Sequence, residues 1–254
     1  CFTITEISAY DIIPATKFMF QEKPEGKQTR KLKIICFHGF GTNGEMMKTQ
    51  MRHLYHLMQP YADLVFPNGS KVTSKSLVVD PAVHKFIGEA LSYSWFDYRN
   101  LPEAELVQTS IDYMEALLEA EGPFDGMIGF SQGGAFVHLM ILALSQGMFR
   151  NKRMNQMRFA ILICTAVWKW NSIELKGDVH PIDFPTFHFM SKSDFLYQLS
   201  VASTTRFVNP YIMHHGEGHK IPRIGMENFK ELMQFVNKAM KVPSNKPKAV
   251  EAKL

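Results

Sequence analysis

Short apolar runs alternate along this chain with stretches in which apolar residues recur every three or four positions. The runs are Leu32 to Phe37, Leu64-Val65-Phe66, Phe124 to Ile128, Phe159 to Cys164, Thr186 to Met190 and Tyr211 to His214. Runs of three to six mostly apolar residues bounded by turn-forming residues are what strands look like when both faces of a sheet are covered. Between them, Met46 to Met58 carries Met47, Met51, Leu54, Tyr55 and Met58 at helical spacing, and Pro60 ends it. A longer helix is expected after Asn100, a candidate N-cap, with Pro102 in the first turn and Glu103 placed for a capping box. Its buried stripe would be Val107, Ile111, Met114 and Leu118, and Gly122-Pro123 would close it. Ala135 to Leu144 is apolar on nearly every side, as a helix buried against a sheet must be. A helix over Phe195 to Val208 and a last one from about Ile224 to Met240 complete the set, the latter with Phe229, Leu232, Met233, Val236 and Met240 on one stripe. The repeated order of strand and helix predicts an α/β fold, a mainly parallel sheet with helices on both faces.

Three segments fall outside this rhythm. Residues 1–30 alternate loosely and lapse into a polar stretch, which reads as an N-terminal arm or peripheral strand. Residues 31–241 form the α/β domain, and 242–254 a basic C-terminal tail. Within the domain, Pro67 to Tyr98 lacks sustained periodicity yet holds Tyr93, Trp95, Phe96 and Tyr98, so it is expected to cover a pocket in part. Trp168 to Phe184 is likewise irregular.

Composition narrows the class. A chain of 254 residues with 46% hydrophobic and 20% charged residues can bury a large core. The net charge of +4, from 28 basic and 24 acidic residues, is far below the clustered excess of a nucleic-acid binder, and no nucleic-acid partner is expected. The longest apolar run is too short to span a bilayer. Three cysteines, Cys1, Cys36 and Cys164, give no disulfide framework and favour a reducing, cytoplasmic setting. The chain starts on Cys1 rather than Met, which is compatible with a preceding targeting segment. No Walker loop or dinucleotide fingerprint is present, so no cofactor is expected. His215 with His219, or His53 with His56, lack the accompanying Cys or carboxylate spacing of a metal site, and none is expected.

Chemistry enters at Gly129-Phe130-Ser131-Gln132-Gly133, a G-x-S-x-G pattern with an apolar strand before it and an apolar helix after it. A serine on such a turn projects its hydroxyl at a helix N-terminus, where unpaired N–H groups favour an oxyanion. A serine hydroxyl needs a base, and the base an orienting carboxylate. In this arrangement they follow the serine in the order acid, then histidine, after successive strands. Asp194 follows the strand Thr186 to Met190, and His219 sits in a glycine-flanked loop beyond Tyr211 to His214. Asp183 and Glu217 are rival acids, and His214 and His215 rival bases. Asp183 precedes its strand and so would lie at the wrong end of the sheet. The oxyanion donors are expected to be the N–H groups of Phe40, in the glycine-rich loop His38 to Gly44, and of Gln132. His38 is read as a scaffold residue bracing that loop. Trp95, Phe96 and Phe136 are candidates for lining an apolar acyl pocket, with core packing as the alternative.

Taken in order, Ile35-Cys36-Phe37-His38-Gly39-Phe40-Gly41-Thr42-Asn43-Gly44, Leu64-Val65-Phe66-Pro67-Asn68, Trp95-Phe96-Asp97, Gly129-Phe130-Ser131-Gln132-Gly133-Gly134, Ser193-Asp194 and Gly218-His219-Lys220-Ile221-Pro222 resemble the FSH family of serine hydrolases, over roughly Lys31 to Met240. The resemblance implies an α/β-hydrolase fold and hydrolysis of a small-molecule acyl ester or thioester through Ser131, Asp194 and His219. The two chain ends, and the segment from Asn171 to Asp183, do not match the family pattern. The ends are where a protein partner would dock if the fold served instead as a structural or binding subunit.

Overall fold

The computed structural model describes residues 30–73, 91–96, 103–166 and 181–241. The segments expected as an N-terminal arm and a C-terminal tail, most of the expected cover over a pocket, and Asn100 and Pro102, expected at the start of a helix, lie outside the described residues.

A six-stranded sheet organises the domain in the order β2-β1-β5-β6-β7-β8, and every neighbouring pair is parallel. Its strands are β1 (Leu32–Phe37), β2 (Ala62–Val65), β5 (Gly126–Phe130), β6 (Phe159–Ile163), β7 (Thr186–Ser191) and β8 (Tyr211–His215). Residues of β1, β5, β6 and β7 are almost all buried, which is why these strands read as continuous apolar runs rather than alternations. Alternate residues nevertheless feed two different cores. Ile35, Phe37, Met127, Ala160 and Leu162 pack on one face with helices α3 (Glu103–Glu121) and α4 (Gln132–Ser145). Ile34, Cys36, Ile128, Phe130, Phe159, Ile161 and Phe187 pack on the other with α1 (Gly44–Gln50), α2 (Arg52–Met58) and α6 (Met226–Lys241).

The connection leaving β1 therefore goes to one face and that leaving β5 to the other. At such a switch point the loops diverge and leave a crevice at the carboxyl ends of the strands, which is where ligands bind in open α/β sheets.

Several elements differ from their expected bounds. The helix expected over Met46 to Met58 is two helices, because Met51 leaves helical geometry (φ −93°, ψ 15°) while its side chain stays buried with Met47, Leu54 and Met58. The helix expected over Phe195 to Val208 is α5, only Tyr197–Thr204. Residues 194–196 belong to a turn at its start, and at its end Ile182 N–H bonds to the Arg206 carbonyl and Val208 N–H to the Ile182 carbonyl, which pulls the chain away. A two-stranded antiparallel sheet, β3 (Lys71–Thr73) with β4 (Ser92–Ser94), and a 3₁₀ turn at Lys152–Gln156 were not expected.

Among the described residues, three imidazoles are enclosed by this packing. Burial pushes His38 down to about 4, His138 to about 4 and His188 to about 3, with Arg206 adding to the effect at His138 and His138 adding to it at His188. The folded state thus refuses protons that the unfolded chain accepts below about pH 6.5. Stability is fully present above that pH and is lost as pH falls toward 4, by about 2 kcal/mol per imidazole at pH 4.5. The thermal midpoint should accordingly drop steeply between pH 6.5 and 4.5, and less steeply in His138→Gln; identical profiles for the two proteins would contradict this account.

Candidate active site

The turn between β5 and α4 puts Ser131 in a left-handed backbone conformation, φ 53° and ψ −117°, which is uncommon outside glycine and costs on the order of 1–3 kcal/mol. Its surroundings hold it there. Ser131 N–H bonds to the Ile163 carbonyl at 2.9 Å, and its own carbonyl receives Gly134 N–H at 3.0 Å and Ala135 N–H at 3.2 Å. The small neighbour is required: a Cβ on Gly133 would run into the backbone carbonyl of Phe37. The helix behind supplies the anchor, since Gln132 through Leu144 are all buried.

His219 is delivered by the loop after β8. Gly218 adopts φ 70° and its N–H bonds to the Ser191 hydroxyl at 3.1 Å, so the loop folds back over the end of β7. His219 Nε2 then lies 3.0 Å from Ser131 Oγ, and Nδ1 lies 3.0 and 2.9 Å from the two oxygens of Asp194. Asp194 follows β7; its side chain is 1% exposed, against 22% for His219, and Oδ1 also receives Leu196 N–H at 2.8 Å. The imidazole is flanked by two aromatic rings, Phe130 at 5.1 Å and Phe195 at 4.6 Å between centroids. Phe130 is 7% exposed and Phe195 79%. Held this way, Nδ1–H donates to the carboxylate and the Nε2 lone pair faces the hydroxyl, the arrangement needed to take a proton from serine.

Three of the rival residues have other partners. His214 Nε2 lies 3.2 Å from the Tyr197 hydroxyl, His215 Nε2 lies 3.6 Å from Cys164 Sγ, and Glu217 accepts from Arg223 N–H at 2.7 Å. Cys164, buried at the end of β6, borders Asp194. Burial first, then the Asp194 carboxylate, pushes its thiol pKa up, so it stays protonated and donates toward the Gly218 and Lys220 carbonyls at 3.6 Å. Cys164, Asp194 and His219 also place a thiol, a carboxylate oxygen and an imidazole nitrogen within 4.8 Å of one another, the one such grouping among the described residues that could hold a metal ion.

Gln132 is the first residue of α4, so its N–H is one of those without an intrahelical partner. Phe40 lies in the loop after β1. This loop abuts the serine, because a Cβ on Gly39 would come 3.6 Å from Ser131 Cβ. Of the two readings open for the candidate pocket aromatics, lining an acyl pocket or packing the core, the structure has the second: Trp95 and Phe96 are 1% exposed and Phe136 0%. Trp95 and Phe136 pack against Phe37 at 5.0 and 5.1 Å, so neither ring has surface to offer a ligand. Among the described residues, an exposed aromatic does lie beside His219: Phe195, which directly follows Asp194 and carried no signal of its own in the sequence.

Residues 28–231 match the family described as "Serine hydrolase (FSH1)". The chain belongs to this family. This FSH1-family protein is thus a serine hydrolase with the α/β-hydrolase fold. It is 27% identical to the Fusarium mangiferae protein named "Esterase FPY3", an alignment covering 82% of this chain and 97% of the relative. It is 25% identical to "Esterase OVCA2" of Xenopus tropicalis, over 85% and 97% of the two chains. Among solved structures, acyl-protein thioesterase 2 of Zea mays superposes with a TM-score of 0.56 at 17% identity, covering 86% of this chain and 97% of that one; this similarity shows the fold. Among the described residues, no helix is long and apolar enough to cross a membrane.

Proposed function

We propose that this FSH1-family hydrolase cleaves small-molecule carboxylic esters or thioesters, with Ser131 as nucleophile, His219 as general base and acid, and Asp194 as the orienting carboxylate. The observation that carries the proposal is the unbroken row of hydrogen bonds from Ser131 Oγ through both ring nitrogens of His219 to Asp194.

His219 Nε2 takes the hydroxyl proton as Ser131 Oγ attacks the acyl carbonyl carbon. The imidazolium is stabilised by Asp194, and the tetrahedral oxyanion is received by the N–H groups of Phe40 and Gln132 at the start of α4. His219 returns the proton to the departing alkoxide or thiolate, leaving an acyl-serine. Water, deprotonated by the same nitrogen, then attacks the acyl carbon, and His219 returns that proton to Ser131 Oγ as the C–Oγ bond breaks and the acid leaves. Phe195 beside the imidazole offers apolar surface for the acyl group or the leaving group. The relatives named as esterases support the substrate class.

The test is labelling with a fluorophosphonate probe followed by peptide mapping, together with initial rates on matched acyl ester and acyl thioester series. The expected result is one probe per chain, attached at Ser131, and turnover of at least one series. Folded protein that neither labels nor turns over would favour the reading of a hydrolase fold recruited for binding.

A further inference from the structure

The two N–H groups proposed to receive the oxyanion lie on segments far apart in the chain, the loop after β1 and the first turn of α4. Hydrogen bonds to the preceding carbonyl fix the direction of each. In a trans peptide the N–H points opposite to the preceding C=O, so pinning the carbonyl aims the donor. The Gly39 carbonyl is held by His38 Nδ1–H at 2.7 Å and by the Thr42 hydroxyl at 2.8 Å, which aims Phe40 N–H the other way. The proton of His38 is on Nδ1, because Nε2 accepts Gly69 N–H at 2.9 Å. The Ser131 carbonyl is held by Gly134 and Ala135 N–H, which aims Gln132 N–H away from the helix.

The two segments that carry these donors, one peptide away at His38 and through the side chain of Gln132, are joined by a buried chain of bonds through Trp95. Its indole Nε1–H donates to the His38 carbonyl at 2.7 Å, and its backbone N–H donates to Gln132 Oε1 at 3.1 Å. The other end of the same amide, Gln132 Nε2, donates to the Phe96 carbonyl at 3.0 Å. Strand β4, which ends just before Trp95, is itself bound to the loop, Gly41 N–H to the Tyr93 carbonyl at 3.0 Å and Tyr93 N–H to the Thr42 carbonyl at 2.7 Å. Trp95 is 1% and Gln132 9% exposed, so water does not replace these bonds if one is lost.

We propose that Trp95 is a positioning residue for the oxyanion site: it couples the Phe40 and Gln132 donors through the His38 carbonyl and the Gln132 side-chain amide, and so governs turnover rather than substrate binding. This rests on the reading of Ser131 as an acyl-transfer nucleophile. A donor must lie within a few tenths of an ångström of the place the oxyanion will occupy, and removing one such donor outright costs about 10²- to 10³-fold in kcat. Loosening two at once should cost a comparable or smaller factor.

Trp95→Phe keeps an aromatic ring in the core and removes only the indole donor. Gln132→Glu keeps an acceptor for Trp95 N–H and removes the donor to Phe96. For each we expect kcat to fall by about 10- to 100-fold with KM within about threefold of wild type. The affinity for a boronic acid, which becomes tetrahedral on Ser131, should weaken by the same factor as kcat. Gln132→Glu decides the matter if Trp95→Phe does not fold. Folded variants with kcat and boronate affinity within threefold of wild type would overturn the proposal, as would a rise in KM that accounts for the whole loss. Wild-type protein that neither turns over ester nor labels with fluorophosphonate overturns the hydrolase reading itself, so the two failures are distinguishable.

Discussion

Exchanging Ser131 for alanine should lower kcat/KM for acyl esters by about 10⁴- to 10⁶-fold and abolish fluorophosphonate labelling, with little change in thermal stability. The kinetic part follows from the row of hydrogen bonds. Without Oγ, His219 Nε2 faces no hydroxyl, and only the oxyanion donors remain to assist attack by water. The stability part follows from the backbone. Alanine at φ 53° carries the strain that serine already carries there, and the bonds that hold the turn, to the Ile163 carbonyl and from Gly134 and Ala135, are all made by the main chain. The side chain contributes one bond, to a partly buried imidazole, worth about 1 kcal/mol. Initial rates, labelling and a melting curve on the two proteins check all three statements. Activity within tenfold of wild type in Ser131→Ala would mean that another group is the nucleophile.

The parts of this molecule legible in its sequence are those set by burial on a regular period. β1 and β7 lie where the apolar runs placed them, and Val107, Ile111, Met114 and Leu118 form the buried stripe of α3. The positions of Ser131, Asp194 and His219 were legible for a related reason: each follows a strand that announces its own end, and parallel connectivity carries all such ends to one rim. The remainder depends on relations between elements. β3 and β4, three residues each, are too short to show a period. Phe195 and Leu196 look like the start of a helix but serve the Asp194 turn. Trp95, Phe96 and Phe136 illustrate the same limit, since an aromatic lining a pocket and one filling a core have identical spacing. Nothing local distinguishes the Trp95 indole that meets the His38 carbonyl from any other buried tryptophan.

Asp194→Asn should reduce kcat by about 10³- to 10⁴-fold while KM changes little. Both carboxylate oxygens now lie within hydrogen-bond reach of His219 Nδ1, and this carboxylate is buried, so the charge acts on the imidazole with little screening by water. An asparagine in the same place can turn its amide N–H toward Nδ1. The ring then carries its proton on Nε2, pointing it at Ser131 Oγ, and can no longer accept the hydroxyl proton. The imidazolium formed during attack would also lose its counter-charge. Nitrogen-15 spectra of the labelled imidazole should show the proton moving from Nδ1 to Nε2 in the variant, a signature that general loosening of the fold would not give. Asp183→Asn and Glu217→Gln serve as controls for the two acids that compete on sequence grounds, and each should stay within a few-fold of wild type. Should one of those collapse the rate while Asp194→Asn spares it, the acid of the site has been misassigned, and the direction in which His219 faces must be explained by another partner.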